Sequence, residues 1–221
     1  MRLSMDRPVA ELVVEHPECA VVLERYQLEY ASAEARTLLE TCGERGLDPA
    51  RVLIDCERAI RERKGRPPAD PRTLPPRQRI LRVIAGHHQY LHRTLPFLQR
   101  LVANVARTHR ERQPSLLEVA RIFDALARSL SAHLAEEERV VFPALLSGAP
   151  RLDSLLARMA DEHVSLQRSL VELRAACDGY VCPPWASSSY RVLFAELAHL
   201  EADTVQHLQI EDELLRPGAR L

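Results

Sequence analysis

His133 and Glu137 stand one helical turn apart in the stretch HLAEEE, and His207 and Glu211 repeat that spacing in HLQIEDE. Each pair lies on a helix face that otherwise carries leucine, where a buried imidazole or carboxylate without a partner costs free energy. Two further histidines, His88 and His163, interrupt leucine-rich faces elsewhere in the chain. Singly these are weak signals, because a lone histidine on an apolar face is ordinarily satisfied by one hydrogen bond and an H-x3-E pair is ordinarily a local surface pair. Together they are strong. Four imidazoles and two carboxylates meeting in one buried layer would be expensive, and the carboxylates would repel, unless protons or cations neutralised them. Nitrogen and oxygen donors without thiolate suit iron or manganese better than a structural zinc site. Two bridging carboxylates, two histidines per metal and one solvent-derived bridge would fill five positions on each ion. The sixth would take a small ligand such as dioxygen, nitric oxide or peroxide, and no catalytic group separate from the metal ligands is indicated.

These residues need helices to bring them together. The chain has 221 residues with only 7 glycines, is dominated by Leu, Ala, Arg and Glu, and contains no strand-type run, so an all-α protein is expected. The Pro-rich stretch KGRPPADPRTLPP, residues 64–76, has no apolar period and reads as a linker. Before it, three or four short helices punctuated by Pro17, Gly46 and Pro49 form a small N-terminal domain, residues 1–63. After it, four long helical patterns are bounded by Pro76, Pro114, Gly148 with Pro150, the loop DGYVCPPWASSS, and Pro217 with Gly218. That series predicts an antiparallel up-down four-helix bundle over residues 77–221.

The seams of the bundle are legible at 3-4 spacing. The first reads Leu81, Ile84, His88, Leu91, Leu95, Leu98, Val102, Val105, and the second Phe123, Leu126, Leu130, His133, Glu137, Val140, Ala144. The third reads Leu152, Leu156, Met159, His163, Leu166, Leu170, Leu173, and the fourth Leu193, Leu197, Leu200, Thr204, His207, Glu211, Leu214. His88 and His163 lie about a dozen residues after their helix starts, whereas the two His/Glu pairs lie roughly six to fifteen residues before their helix ends. With neighbours antiparallel, all six fall in one layer near one end. A ferritin-like site would need a Glu three residues before a ligand histidine, and none of the four has one.

His16, His87, His92, His109 and His199 lie off the seams or in the N-terminal domain and are expected at the surface or supporting the ligands from outside. Glu136, Glu138 and Asp212 flank the ligands and are expected to be solvated, Glu162 is a candidate for lining an access path, and Trp185 reads as a packing plug. The five cysteines, Cys19, Cys42, Cys56, Cys177 and Cys182, are odd in number and argue against a disulfide framework. Most read as small buried hydrophobes, with Cys177 and Cys182 flanking a loop where they could react. With a formal net charge of −1 and Arg and Glu spread along the whole length, no face is built for phosphate backbones, and no nucleic-acid partner is expected. The opening MRLSMDRPVAELVVEHPE has no continuous apolar run, and no stretch approaches the roughly 18 apolar residues of a membrane span, so a cytoplasmic protein without a membrane partner is expected.

The stretches HHQYLHRTLPFL, HLAEEERVVFPAL, DEHVSLQRSL and HLQIEDELLRP resemble, in order, the four motifs of the hemerythrin-like (HHE cation-binding) domain. The resemblance is to the di-iron Repair of Iron Centers family, of the YtfE/ScdA/DnrN type, and the N-terminal helices resemble the small domain that precedes the bundle there. It implies two non-haem iron ions, oxo- or hydroxo-bridged with two carboxylate bridges, held by His88, His133, His163 and His207 with Glu137 and Glu211. It implies a stress-response protein that binds nitric oxide or oxygen species, with possible turnover of nitric oxide, dioxygen or peroxide, or that supplies iron to damaged iron–sulfur proteins. An oxygen or nitric oxide sensor without turnover, and an interaction bundle without metal, stay open. Gln167 and Glu211 depart from the blood-type oxygen carriers and favour the repair type. Ala31 and Ser32 stand where the repair family carries an adjacent cysteine pair, so steps that need those thiols are not implied for this chain.

Overall fold

A computed structural model describes residues 3–28, 30, 36–64, 74–149 and 152–215. The fold is all-α; among the described residues there is no strand, and one isolated antiparallel bridge joins Pro8 and Thr37. Two compact units divide the chain, one within Met1–Pro68 together with Val181–Glu196, the other within Ala69–Tyr180 together with Leu197–Leu221. The expected linker falls largely on residues 65–73, and Ala31 and Ser32 on 31–35, all outside the described residues.

In the first unit α1 (Val9–Glu15), α2 (Cys19–Arg25), α3 (Leu38–Glu44) and α4 (Pro49–Lys64) bury Leu12, Leu23, Leu38, Val52 and the thiols of Cys19, Cys42 and Cys56. A reciprocal capping box starts α3: Thr37 Oγ1 accepts from the Glu40 amide, and the Glu40 carboxylate accepts from the Thr37 amide. Tyr26 donates its hydroxyl to Asp55 at 2.7 Å, tying α2 to α4. In Val181–Glu196, Trp185 meets Tyr190 edge-on at 5.8 Å, consistent with the packing role expected of it.

The second unit is the bundle. Its first long helix is α5 (Pro76–Val83), a π turn (Ile84–His88) and α6 (Gln89–His109); its second is α7 (Leu116–Glu136), a π turn (Glu137–Val141) and α8 (Phe142–Ser147). The third is α9 (Leu152–Ala176), and α10 (Ser188–Leu214) supplies the fourth from residue 197 onward. Pro76 opens α5 at a position whose amide has no helical partner, and Gly148, at φ +62°, closes α8 in the left-handed conformation that glycine adopts without strain. Ile80, Val83, Val141, Phe142, Leu145, Met159, Leu214 and Leu215 form an apolar cluster in which helix beginnings meet helix ends, as antiparallel neighbours require. It closes one end of the bundle just outside the level of the histidines.

The seams hold except at two places. Leu81 is 57% exposed while Ile80 and Val83 are buried, and Val140 is 47% exposed while Val141 and Leu145 are buried. Each slip lies across a π turn. One extra residue there moves the inward positions by one, which the regular 3-4 count does not anticipate.

Candidate metal centre

The two π turns lie where the polar layer begins. One ends on His88 and the other starts on Glu137, so two consecutive residues, His87 with His88 and Glu137 with Glu138, reach the layer from each helix. Such single-turn widenings recur at functional sites. The third and fourth helices supply His163, His207 and Glu211 from unbroken seams.

The structure brings all six sequence-predicted residues together, each at most 2% exposed. They form two overlapping sets: His88, Glu137, His207 and Glu211 offer ligand atoms within 4.8 Å of one another, and so do His133, Glu137, His163 and Glu211. Both carboxylates belong to both sets. His207 Nε2 lies 2.7 Å from Glu211 Oε1, and His88 Nε2 lies 3.3 Å from the same oxygen and 3.2 Å from His207 Nε2. Across the layer, His133 Nε2 is 3.4 Å from Glu137 Oε2, and His163 Nε2 is 3.7 Å from Glu211 Oε2 and 3.9 Å from Glu137 Oε1.

Hydrogen bonding does not account for this crowd. His133 Nε2, His163 Nε2, both oxygens of Glu137 and Glu211 Oε2 are buried without a hydrogen-bond partner. Buried polar atoms are nearly always paired, so five orphans in one layer call for a missing partner. The donor set fits a pair of cations, since imidazole nitrogens and carboxylate oxygens about 2.0–2.2 Å from an ion stand at mutual distances of this order. The electrostatics agree. Burial and the neighbouring Glu211 charge push the Glu137 carboxyl up, whereas for Glu211 burial is outweighed by His207 and His88, which hold it well below the usual range. Burial pulls the His163 imidazole down, but Glu137, Asp212 and Glu211 outweigh it and raise it to about 9. Without cations, protons must carry the balancing charge.

Three carboxylates hold the histidines from behind. His88 donates through Nδ1 to Glu138 at 2.9 Å, His133 to Glu162 at 3.1 Å and His163 to Asp212 at 2.7 Å. Each bond fixes the tautomer that leaves Nε2 free to face the centre. Glu138 also accepts from the exposed His92 at 3.0 Å, and Arg158 ties Glu162 to Glu136. Glu138 and Asp212 therefore do more than the solvated role expected of them, and Glu162, the candidate for an access path, has its carboxylate engaged by His133 and Arg158. The signal that could have found them is adjacency: Glu138 follows Glu137, Asp212 follows Glu211, and Glu162 precedes His163. A helical neighbour of an inward residue points into the seam between helices, where the next helix's ligand lies.

His87 is buried, stacks on His207 with centroids 5.5 Å apart, and donates through Nδ1 to Asp203 at 3.0 Å. His199 meets Tyr90 edge-on. Phe142 of the apolar cluster stacks on His88 at 5.6 Å, so hydrocarbon bounds the layer on that side. Cys177 is buried and its thiol is pushed up to about 12 by burial, which removes it from the reactive cysteines. Among the described residues, no helix is long and apolar enough to cross a membrane.

An all-α bundle enclosing four histidines and two shared carboxylates defines a cation-binding helical protein. Residues 79–219 match the family described as the hemerythrin HHE cation binding domain, and the chain belongs to that family. It is similar over nearly its whole length to proteins named Iron-sulfur cluster repair protein YtfE. That of Edwardsiella ictaluri (strain 93-146) is 26% identical over 217 residues, covering 97% of this chain and 96% of the relative. Those of Musicola paradisiaca (strain Ech703) and Escherichia coli O81 (strain ED1a) are 24% and 23% identical over the same length and coverage.

Proposed function

We propose that this chain holds two non-haem iron ions in its bundle and serves the repair of damaged iron–sulfur proteins, binding nitric oxide or oxygen species at the same centre. The observation that carries this reading is the pair of overlapping ligand sets with Glu137 and Glu211 in common. His88 and His207 would hold one ion and His133 and His163 the other, with Glu137 and Glu211 shared by both positions. When bound, the iron pair supplies redox-active cations with room for a diatomic ligand and a store of iron for clusters. The chain's own part is to aim four Nε2 atoms inward, to fix them through Glu138, Glu162 and Asp212, and to exclude water with the apolar cluster.

The name of the relatives supports iron–sulfur repair as the task, with damaged iron–sulfur proteins as clients. Iron hand-over is assigned to the bundle, because Ala31 and Ser32 offer no thiol. We retain 1–63, 64–76 and 77–221 as the limits along the sequence and the cytoplasm as the compartment; the family match over 79–219 supports the third limit, while by compactness Val181–Glu196 groups with the first unit.

The test is anaerobic reconstitution with ferrous iron, followed by incubation with a cluster-damaged iron–sulfur protein. Iron transfer that restores the client's cluster, and that is lost in Glu137→Ala, is expected. Uptake of less than about one iron per chain would overturn the reading. Iron uptake without transfer would leave a nitric oxide or oxygen sensor as the better account.

A further inference from the structure

We propose that the two metal positions are unequal, and that the one held by His88 and His207 is the weaker and empties first. The inference rests on the di-iron reading above and adds to it which ion the protein can lend.

The inequality lies behind the ligands, since Glu137 and Glu211 are common to both positions. His133 and His163 are both fixed from behind, by Glu162 at 3.1 Å and Asp212 at 2.7 Å. At the other position His88 is fixed by Glu138 at 2.9 Å, but Nδ1 of His207 is buried without a hydrogen-bond partner. The sequence explains the gap. The supporting carboxylate comes each time from the residue beside a ligand on the next helix: Glu138 beside Glu137 serves His88, Glu162 beside His163 serves His133, and Asp212 beside Glu211 serves His163. Continued to His207, the same rule returns to the first helix and to the residues beside His88, the exposed Gln89 and the buried His87, neither of them a carboxylate.

His87 cannot play the carboxylate's part. Its ring lies parallel to that of His207, 11° between planes, so it presents a face and no acceptor to Nδ1. Asp203, one turn before His207, is held 3.0 Å away by His87 itself. A partner behind a ligating histidine fixes the ring and strengthens its metal bond, and losing such a partner typically weakens metal binding about 10–100-fold. The position of His133 and His163 keeps both partners and retains its ion.

The test is release of 57Fe from the reconstituted, reduced full chain into excess chelator, followed by absorbance and by Mössbauer spectra of the half-emptied protein. Two phases are expected, the first at least about tenfold faster, leaving one spectral species behind. Glu162→Gln should speed the slow phase about tenfold or more, whereas Glu138→Gln should speed only the fast one. Should Glu162→Gln not fold by circular dichroism, Asp212→Asn reads the same position. Release of both ions at one rate, or a Glu162→Gln effect confined to the fast phase, would overturn the inequality while leaving the di-iron reading intact. A chain that takes up no iron would overturn both.

Discussion

His163 donates through Nδ1 to Asp212 at 2.7 Å, and Asp212 directly follows Glu211, the carboxylate that both ligand sets share. One stretch of helix thus supplies a carboxylate common to both ligand sets and the support for a histidine on another helix. In Asp212→Asn the acceptor charge is lost and the fold is kept. Metal affinity should fall about 10–100-fold, read by dialysis against graded chelator. Retention equal to that of the unaltered chain would contradict the role assigned to Asp212.

Glu137 belongs to both sets, so Glu137→Ala should empty both positions together. Metal that binds only the folded chain stabilises it, by about 2.7 kcal/mol when free metal is a hundredfold above its dissociation constant. The unaltered protein should therefore melt higher with iron than with chelator, and Glu137→Ala should melt alike in both. Calorimetry of the four samples checks this, and a preserved metal-dependent shift in the variant would count against the bridge.

Protons and metal compete for His163. Its folded value of about 9 lies above the ordinary 6.5, so in the metal-free protein the protonated ring contributes stability that is fully present below about pH 6.5. That contribution shrinks as pH rises and is gone above about 9. Metal-free chain should lose stability across this window while iron affinity rises through it, with proton release on binding. Denaturant melts of the metal-free form, paired with proton release in weak buffer, measure both; flat profiles would exclude the linkage.

Phe142 joins the apolar cluster to the centre through its contact with His88. Phe142→Ala should cost about 3–5 kcal/mol by leaving a cavity. The same cavity admits water behind His88 and should speed iron loss. Normal iron retention in a destabilised variant would confine Phe142 to packing.

The six clustered residues were legible because a helix face repeats at 3-4 spacing, and polar residues on a leucine seam stand out against it. Helix order and the antiparallel layer followed from short connections and clear stops. Leu81 and Val140 were misplaced because a π turn inserts one residue without a composition signal, and both turns sit beside the ligands. Glu138 and Asp212 read as solvated because a carboxylate beside a ligand looks the same in sequence whether it meets water or the histidine of the next helix.

The pattern of residues by itself determined the all-α class, the four seams and which imidazoles and carboxylates share a level, since these depend on periodicities local to each helix. Only the tertiary structure decided which histidine pairs with which, which carboxylate supports each from behind, and that Nδ1 of His207 is left without a partner. Those relations join side chains 29 or more residues apart on separate helices, and their distances are set by how the helices pack and where π turns shift their faces.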